Sequence, residues 1–323
     1  MKTVTAFFRL IRLPNLVFIA LTQILFYTCV VYSLHREWVP DFRFSRQEWM
    51  LLSLLILASV FIAAAGYIIN DYFDRSIDAI NKPEKVVIDR TVKRRWAIMW
   101  HWILSAIGLL LSAYVAYRTK TYTIFFANIA CVLLLWVYST TFKKKLLSGN
   151  IMIAALTAWV IVVLYFFSGA SLLDVKGWNE QSFQFDIRKL FKVTILYAGF
   201  AFIVSLIREV VKDLEDMHGD ARYHCKTMPI VWGVPATKVF AAVWLVVSMA
   251  SLAIVQVYAW QSGWWFSALY CIILIIIPMG QVLRLLYKAV TPAHYHHISS
   301  YIKWIMLAGI LSMIFFRFIH YTS

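Results

Sequence analysis

Charged residues are scarce in this chain, and acidic residues are scarcer than basic ones. Only 15% of the 323 residues are charged and 62% are apolar, which excludes an ordinary soluble domain and is typical of a polytopic membrane protein. Lys and Arg number 31 against 16 Asp and Glu, giving a formal net charge of +15. The basic residues are dispersed over short segments between apolar runs, so membrane topology explains them better than nucleic-acid binding does.

Paired cysteine spacings, a cleavage site and low-complexity linkers are also missing. The four cysteines stand far apart, three of them within apolar runs, and imply neither a disulfide framework nor a zinc site. The first apolar stretch, from about Leu13 to Tyr32, is too long for a signal-peptide core and has no small-x-small cleavage site. We therefore expect it to be a retained first span.

Apolar runs long enough to cross a bilayer, which takes about 20 residues, recur along the whole chain. They predict an all-α polytopic fold with nine transmembrane helices around a central cavity, closed by two Asp-rich cytoplasmic loops. Of the 31 Lys and Arg residues, 21 lie on the side of the N-terminus, which predicts a cytoplasmic N-terminus and a C-terminus on the opposite side. The predicted spans are 13–33, 49–69, 96–117, 121–141, 149–170, 190–209, 236–258, 264–286 and 300–319.

An acidic motif follows the second apolar run. Asp71, Asp74 and Asp78 are three and then four residues apart, so on a helix they share one face, within about 60° of each other. Carboxylates at the mouth of a membrane span are costly and indicate a functional site. A hard divalent cation with oxygen ligands, such as Mg²⁺, would relieve their mutual repulsion.

The same spacing recurs after the sixth apolar run, in Asp213, Asp216 and Asp220. We expect the two triads to converge on one polar site; the alternative is that each is a solvated charge cluster that caps its helix. The recurrence also suggests a pseudo-repeat of residues 1–148 and 149–290, followed by a ninth helix, within a single membrane domain 1–323.

Three motifs in this order resemble the UbiA superfamily of intramembrane prenyltransferases, over essentially the whole chain. The match is greatest with the branch that contains geranylgeranylglycerol-phosphate geranylgeranyltransferase. The matching segments are Asn70 to Asp78 with Asn81-Lys82-Pro83, Tyr138 to Lys143 with Leu147 to Asn150, and Arg208 to Asp220 with Lys226 to Ile230.

The resemblance implies Mg²⁺-dependent transfer of an isoprenyl chain from a prenyl diphosphate to a lipophilic acceptor. It implies that Asp71 and Asp213 are catalytic and that the metal ligands are Asn70, Asp71, Asp74, Asp78, Asp213, Asp216 and Asp220. Lys143, Arg208, Lys212, Lys226 and Arg75 are expected to bind the diphosphate. Arg12, Asn15, Tyr72, Tyr138 and Asn150 are expected to line the cavity.

The chain departs from the family pattern at two places. Many members follow the first motif with a stretch like Arg-Pro-Ile-Pro-Ser-Gly, where this chain has Lys85 to Arg90 without prolines or a Ser-Gly pair. His224 stands where a glycine is common. The altered loop is expected to lie over the diphosphate, so its change leaves the acceptor in question.

Three functions are compatible with these residues. The first is prenyl transfer to the hydroxyl of a glycerol-phosphate-type lipid, and the second is prenylation of an aromatic acceptor in quinone biosynthesis. No Lys or Arg lies in the middle of a predicted span to hold an aromatic carboxylate, which favours the first. The third, a cation transporter, lacks ionisable residues that would continue a path across the membrane. The partners expected are prenyl diphosphate, acceptor and membrane lipids but no nucleic acid, and the oligomeric state is open.

Overall fold

The computed structural model of this chain describes residues 2–37, 41–81, 83, 86–171 and 187–318. Within these ranges nine helices are long and apolar enough to cross a membrane, which confirms the predicted all-α, polytopic class. The loop predicted between the fifth and sixth spans lies almost wholly outside the described residues, as do Lys82 and Lys85 of the segment after the first motif.

The helices follow one another with short connections. A short helix, α1, precedes the nine spans, and the first span contains π-helical residues Phe26–Val31 while the eighth contains Ile272–Ile276. The helices are α1 (Lys2–Leu10), α2 (Leu13–Arg36), α3 (Arg46–Asn81), α4 (Arg94–Thr119), α5 (Tyr122–Thr140), α6 (Ser148–Ser171), α7 (Ile187–Arg222), α8 (Gly233–Gln261), α9 (Trp265–Lys288) and α10 (Pro292–Leu311, continued by a 3₁₀ turn to Phe318).

The two helices that carry the acidic motifs are longer than their apolar runs. We predicted that these spans end at 69 and 209, but α3 continues to Asn81 and α7 to Arg222. No proline interrupts either extension, and the next prolines are Pro83 and Pro229. Both aspartate triads therefore lie on helices that continue beyond the apolar part of the span, and not on irregular loops.

The ninth span begins eight residues earlier than the predicted residue 300. Thr291 caps α10 by accepting a hydrogen bond from the His294 backbone N–H, and the His294 ring accepts from the Thr291 N–H in return. Pro292 occupies the first turn, where its missing N–H costs nothing. A strong N-terminal cap outweighs the polar composition of His294, His296 and His297.

The described residues divide into two compact units. Unit 1 comprises Met1–Phe142 and Trp159–Ile195. One of its buried clusters joins α1, α2 and α3 to the segment after the first motif, and Gly66 of α3 lets Leu135 of α5 approach closely. The residues of this cluster with at most 2% exposure are Leu10, Ala64, Ile68, Ile88 and Ala97.

Unit 2 comprises Lys143–Ala158 and Leu196–Ser323. Its core joins α7 to α8, α9 and α10, and includes Val210, Val282 and Met228, none of which is exposed. Gly309 of α10 faces the Phe200 ring, which would leave no room for a larger residue. The single domain 1–323 and its pseudo-repeat stay predictions.

Candidate active site

The first acidic motif occupies the last turns of α3. Asp74 is almost fully buried, with 2% of its surface exposed, while Asp71 and Asp78 are half-buried. At 1.5 Å per residue, Asp71 and Asp78 are about 10 Å apart along the helix axis. One metal ion cannot contact three carboxylates that are spread over this length of helix, so a metal site here needs ligands from outside the triad.

Arg12 contacts the first aspartate of this motif. Its Nη2 donates to Asp71 Oδ1 at 2.6 Å, and its guanidinium lies 5.1 Å from the centre of the Tyr67 ring. Arg12 adopts a left-handed backbone conformation, with φ at 52°, in the turn that starts α2. The Asp71 carboxylate raises the pKa of Arg12, so this cation is permanent. The structure thus places Arg12, predicted to line the cavity, in direct contact with a predicted metal ligand.

A small pocket lies beside the same carboxylates. Asp71, Arg75 and Asp78 form its polar side, and residues 86–88 form the other side. The described part of the family-altered segment therefore lies against the first motif. Its role toward a diphosphate stays a prediction.

The described part of the altered segment, residues 86–90, forms a turn. Val87, Ile88 and Val92 are buried, and the Asp89 N–H donates to the Val92 carbonyl at 2.8 Å. The Asp89 carboxylate contacts Arg75 and accepts from Arg94 Nε at 2.9 Å. Hydrophobic burial and two ion pairs thus hold the segment where other members of the family have prolines.

The second acidic motif occupies the last turns of α7. Asn150, 8% exposed in the first turn of α6, donates from Nδ2 to Asp213 Oδ2 at 2.8 Å. Asp220 is 5% exposed, and Asp216 is half-buried. The predicted cavity residue Asn150 and the predicted ligand Asp213 therefore meet.

A carboxylate that the sequence analysis did not single out lies one turn before this motif. Glu209 is 8% exposed and accepts from Lys212 Nζ at 2.8 Å and from Arg208 Nη1 at 3.2 Å. Both cations were predicted to bind diphosphate. The signal was present in the sequence, because Glu209 is four residues before Asp213 and falls on the face of the triad.

The segment after the second motif returns to the middle motif. The Lys226 N–H donates to the Lys144 carbonyl at 2.8 Å, next to Lys143 in a 3₁₀ turn. The Lys226 residue is exposed and Lys143 half-exposed. His224 has φ at 56°, which explains the preference for glycine at this position because glycine adopts positive φ without strain.

The remaining predicted cavity residues have less distinctive surroundings. Tyr72 packs against the α1–α2–α3 cluster and is not among the residues that line the pocket at Asp71. Asn15 is half-buried in the first turn of α2, where its N–H donates to the Arg12 carbonyl at 2.8 Å. Tyr138 is half-buried near the end of α5. Their place in a substrate cavity stays a prediction.

The side chains of the two motifs determine which metal ion they could bind. Among the described residues, no group of three His, Cys, Asp or Glu side chains is close enough to hold a metal ion. The donor types nevertheless suit a hard cation, because they are carboxylate and amide oxygens. Asn70 Oδ1 is buried and accepts no hydrogen bond from the described residues, so it retains the capacity of a ligand.

The sequence matches a known family over most of its length. A model of the UbiA prenyltransferase family matches residues 24–307. The chain belongs to the UbiA prenyltransferase family. This confirms the resemblance drawn from the three motifs, and it identifies the chain as an integral, multi-pass membrane prenyltransferase.

Several proteins with sequences similar to this chain share the same name. A digeranylgeranylglyceryl phosphate synthase from Methanothermobacter thermautotrophicus is 32% identical over 225 residues, which is 69% of this chain and 69% of the relative. A protein of the same name from Methanoregula boonei is 30% identical over 226 residues, 69% of this chain and 71% of the relative.

The UbiA fold is also seen in solved structures. A UbiA homolog from Archaeoglobus fulgidus bound to GPP and Mg²⁺ superposes with a TM-score of 0.55 at 15% identity, over 95% of this chain and 99% of that one. At this identity the likeness establishes the fold alone. The bound diphosphate and metal are properties of that homolog.

Proposed function

We propose that this UbiA protein transfers an isoprenyl chain from a prenyl diphosphate to the hydroxyl of a glycerol-phosphate-type lipid and forms an ether. The observation that carries the proposal is a hydrogen bond found at both motifs. The first aspartate of each accepts a hydrogen bond from a polar residue at the start of the preceding span, Arg12 for Asp71 and Asn150 for Asp213. Polar side chains that are hydrogen-bonded to each other at the ends of apolar helices indicate a functional site.

In this reaction the bond between the allylic carbon and the diphosphate oxygen breaks, and a new bond joins that carbon to the acceptor oxygen. The acceptor hydroxyl loses its proton. The departing diphosphate carries roughly three negative charges, which cations must stabilise as the bond breaks. The cations proposed to donate to its phosphate oxygens are Arg12 and Arg75 in unit 1, and Arg208 and Lys212 in unit 2.

Mg²⁺ is proposed as the cofactor. The residues that would hold it are Asn70, Asp71, Asp74 and Asp78 on α3 and Asp213, Asp216 and Asp220 on α7. When bound, it would add positive charge at the diphosphate and so stabilise the leaving group. Because the described residues hold no group of three such side chains close enough for a metal ion, we propose that oxygens of the diphosphate supply further ligands.

The acceptor class is supported by two observations. The UbiA relatives described above are named digeranylgeranylglyceryl phosphate synthase. No Lys or Arg lies in the middle of the apolar runs predicted from the sequence, although the helix Pro292–Phe318, which begins earlier than predicted, has Lys303 near its midpoint. A glycerol-phosphate lipid keeps its charge at the membrane surface and needs no such cation.

Orientation is part of the same proposal. The excess of Lys and Arg on the side of the N-terminus supports a cytoplasmic N-terminus and places both acidic motifs at the cytoplasmic face. A reporter active only in the cytoplasm, fused before Lys2, is expected to be active, and the same reporter fused after Ser323 is expected to be silent. The reverse pattern would contradict the orientation.

The deciding experiment uses the purified protein with Mg²⁺ and geranylgeranyl diphosphate. Glycerol-1-phosphate lipids and 4-hydroxybenzoate-like aromatics are offered in parallel, and products are identified by mass spectrometry. An ether lipid is the expected product. A prenylated ring would move the protein to quinone chemistry, and diphosphate release with neither product would place the acceptor outside both classes. Absence of diphosphate release under every condition would contradict the enzyme assignment.

A further inference from the structure

Glu209 is a buried carboxylate for which the prenyl-transfer chemistry above has no use. It lies within a membrane-spanning helix and is 8% exposed. Ionisable groups in such positions are expensive, and those that persist are paired and functional. Its two described contacts, Lys212 Nζ at 2.8 Å and Arg208 Nη1 at 3.2 Å, join it to both predicted diphosphate-binding cations of α7.

The helical geometry places Glu209 in line with the second motif. At 100° per residue, Asp213, Asp216 and Asp220 lie within about 40° of Glu209 around the α7 axis. Lys212 is three residues after Glu209 and about 60° from it around the helix axis, and the ion pair holds its side chain beside this face. Through this ion pair, Glu209 keeps the Lys212 cation close to the helix face that carries the aspartates.

Arg208 has donor capacity left after this contact. Its Nη1 donates to Glu209, whereas its Nε is buried and finds no acceptor among the described residues. A guanidinium fixed on one side by a carboxylate presents its remaining N–H groups in a set direction, and planar donors of this kind suit phosphate oxygens.

We propose that Glu209 is a positioning residue that orients Lys212 and Arg208 for the diphosphate of the prenyl donor. It fixes two long side chains before substrate arrives, so less conformational freedom is lost when the diphosphate binds. This inference rests on the proposed function, because it assumes a diphosphate as the ligand of these cations.

Glu215 provides a matched control on the same helix. It is equally buried, at 9% exposed, and also has a side-chain partner, because it is hydrogen-bonded to His296 Nδ1 at 2.9 Å. It lies about 120° from Glu209 around the helix axis, off the face of the aspartates. Replacing either carboxylate by its amide removes one buried charge from α7, but only Glu209→Gln releases Lys212 and Arg208.

The test compares Glu209→Gln, Glu215→Gln and the natural protein in detergent. We expect Glu209→Gln to raise the KM for geranylgeranyl diphosphate roughly tenfold, the loss typical of one charge-assisted hydrogen bond, with a smaller change in kcat. Glu215→Gln is expected to leave KM within about twofold of the natural value, in the range of an uninvolved site. Equal KM values for all three proteins would overturn the proposal.

Two further measurements separate positioning from a general loss of stability. Combined with Lys212→Met, Glu209→Gln should add clearly less than tenfold to the KM increase of Lys212→Met alone, because only Arg208 is left to lose its anchor. A full additional tenfold increase would contradict action through Lys212. If Glu209→Gln does not fold, Glu209→Asp retains the charge but shortens its reach. A raised KM is expected for it too, and an unchanged KM would count against the proposal.

Binding of inorganic pyrophosphate with Mg²⁺ distinguishes this inference from the proposed function. Protection of the natural protein against thermal unfolding by this probe is required by the function itself. If the natural protein is not protected, the diphosphate site is wrong. If the natural protein and Glu209→Gln are protected equally, the site stands and the role of Glu209 is wrong.

Discussion

The two acidic motifs have the same backbone spacing and different electrostatic surroundings. On α3, Asp71 is paired with the cation Arg12, and the residue four positions earlier is Tyr67, which contacts the same guanidinium. On α7, Asp213 is bonded to the neutral amide of Asn150. Four positions before it stands Glu209, which binds two cations of its own helix.

Motifs with matched sequence spacing therefore do not have matched surroundings. In unit 1 the first carboxylate is paired with an arginine from the turn that starts α2. In unit 2 the first carboxylate is bonded to a neutral amide, and a second carboxylate one turn away, Glu209, binds the two cations. We infer that the first motif is the better suited to receive anionic phosphate through arginine, and the second to concentrate negative charge for a cation.

Removing the first aspartate of either motif should have the largest effect. Asp71→Asn and Asp213→Asn are each expected to lower turnover at least roughly a thousandfold, because each removes a charged oxygen ligand from the diphosphate site. The unfolding temperature should change by only a few degrees, since asparagine keeps the size and one hydrogen-bonding oxygen. Full activity of either purified variant at saturating Mg²⁺ would remove the metal-site assignment.

Changing the partner of each aspartate tests the difference between the motifs. Arg12→Gln replaces the cation by an amide and makes the first motif resemble the second. We expect it to raise the KM for prenyl diphosphate roughly a hundredfold, and Asn150→Ala to lower activity only about tenfold, because a charged group contributes more to anion binding than a neutral amide does. Effects of equal size, measured by steady-state kinetics, would show that the two partners are equivalent.

The altered segment after the first motif should show a smaller effect. Asp89 has φ at 68°, so Asp89→Gly relaxes the backbone while it removes the contacts to Arg75 and Arg94. Relief of the backbone is worth about 0.4–1 kcal/mol and loss of exposed ion pairs costs about 0.2–1 kcal/mol, so the free energy of unfolding should stay nearly constant. The KM for prenyl diphosphate should rise about threefold because Arg75 loses its anchor.

The matched variant is Asp89→Asn, which tolerates the same backbone conformation without the charge. It should raise KM by the same factor as Asp89→Gly. A KM increase confined to one of the two variants would assign the effect to the backbone of the turn and not to the ion pair.

Packing substitutions should leave catalysis almost unchanged and separate the two units by stability. A Cβ on Gly309 would lie 2.4 Å from the Phe200 ring, whereas one on Gly66 would meet the end of the Leu135 side chain at 2.8 Å. A rigid aromatic ring can move away from an added methyl group less easily than the end of a leucine side chain can. We therefore expect Gly309→Ala to lower the free energy of unfolding by about 1–3 kcal/mol and Gly66→Ala to lower it by less than about 1 kcal/mol. Thermal unfolding in detergent checks the order; the reverse order would contradict it.

Much of the fold could be predicted because membrane spans are defined by composition. The apolar runs located the nine span-length helices found among the described residues, since a bilayer demands about 20 apolar residues per crossing. The ends of α3 and α7 were missed because apolarity marks where a helix is inside the membrane, not where it stops. The helical face shared by the aspartates was predicted. Glu209 was overlooked, although it stands four residues before Asp213 and therefore lies on the same face.

Sequence alone determined the class, the family and the helix face of each triad, because hydrophobic periodicity and motif spacing depend on neighbours along the chain. Only the tertiary structure decided which side chains contact each aspartate. Arg12 reaches Asp71 across 59 residues and Asn150 reaches Asp213 across 63, and no local pattern encodes such contacts. The same holds for the turn at Asp89, whose arginine contacts and buried valines replace the prolines of its relatives. Such contacts depend on how whole helices pack, and that is a property of the folded chain.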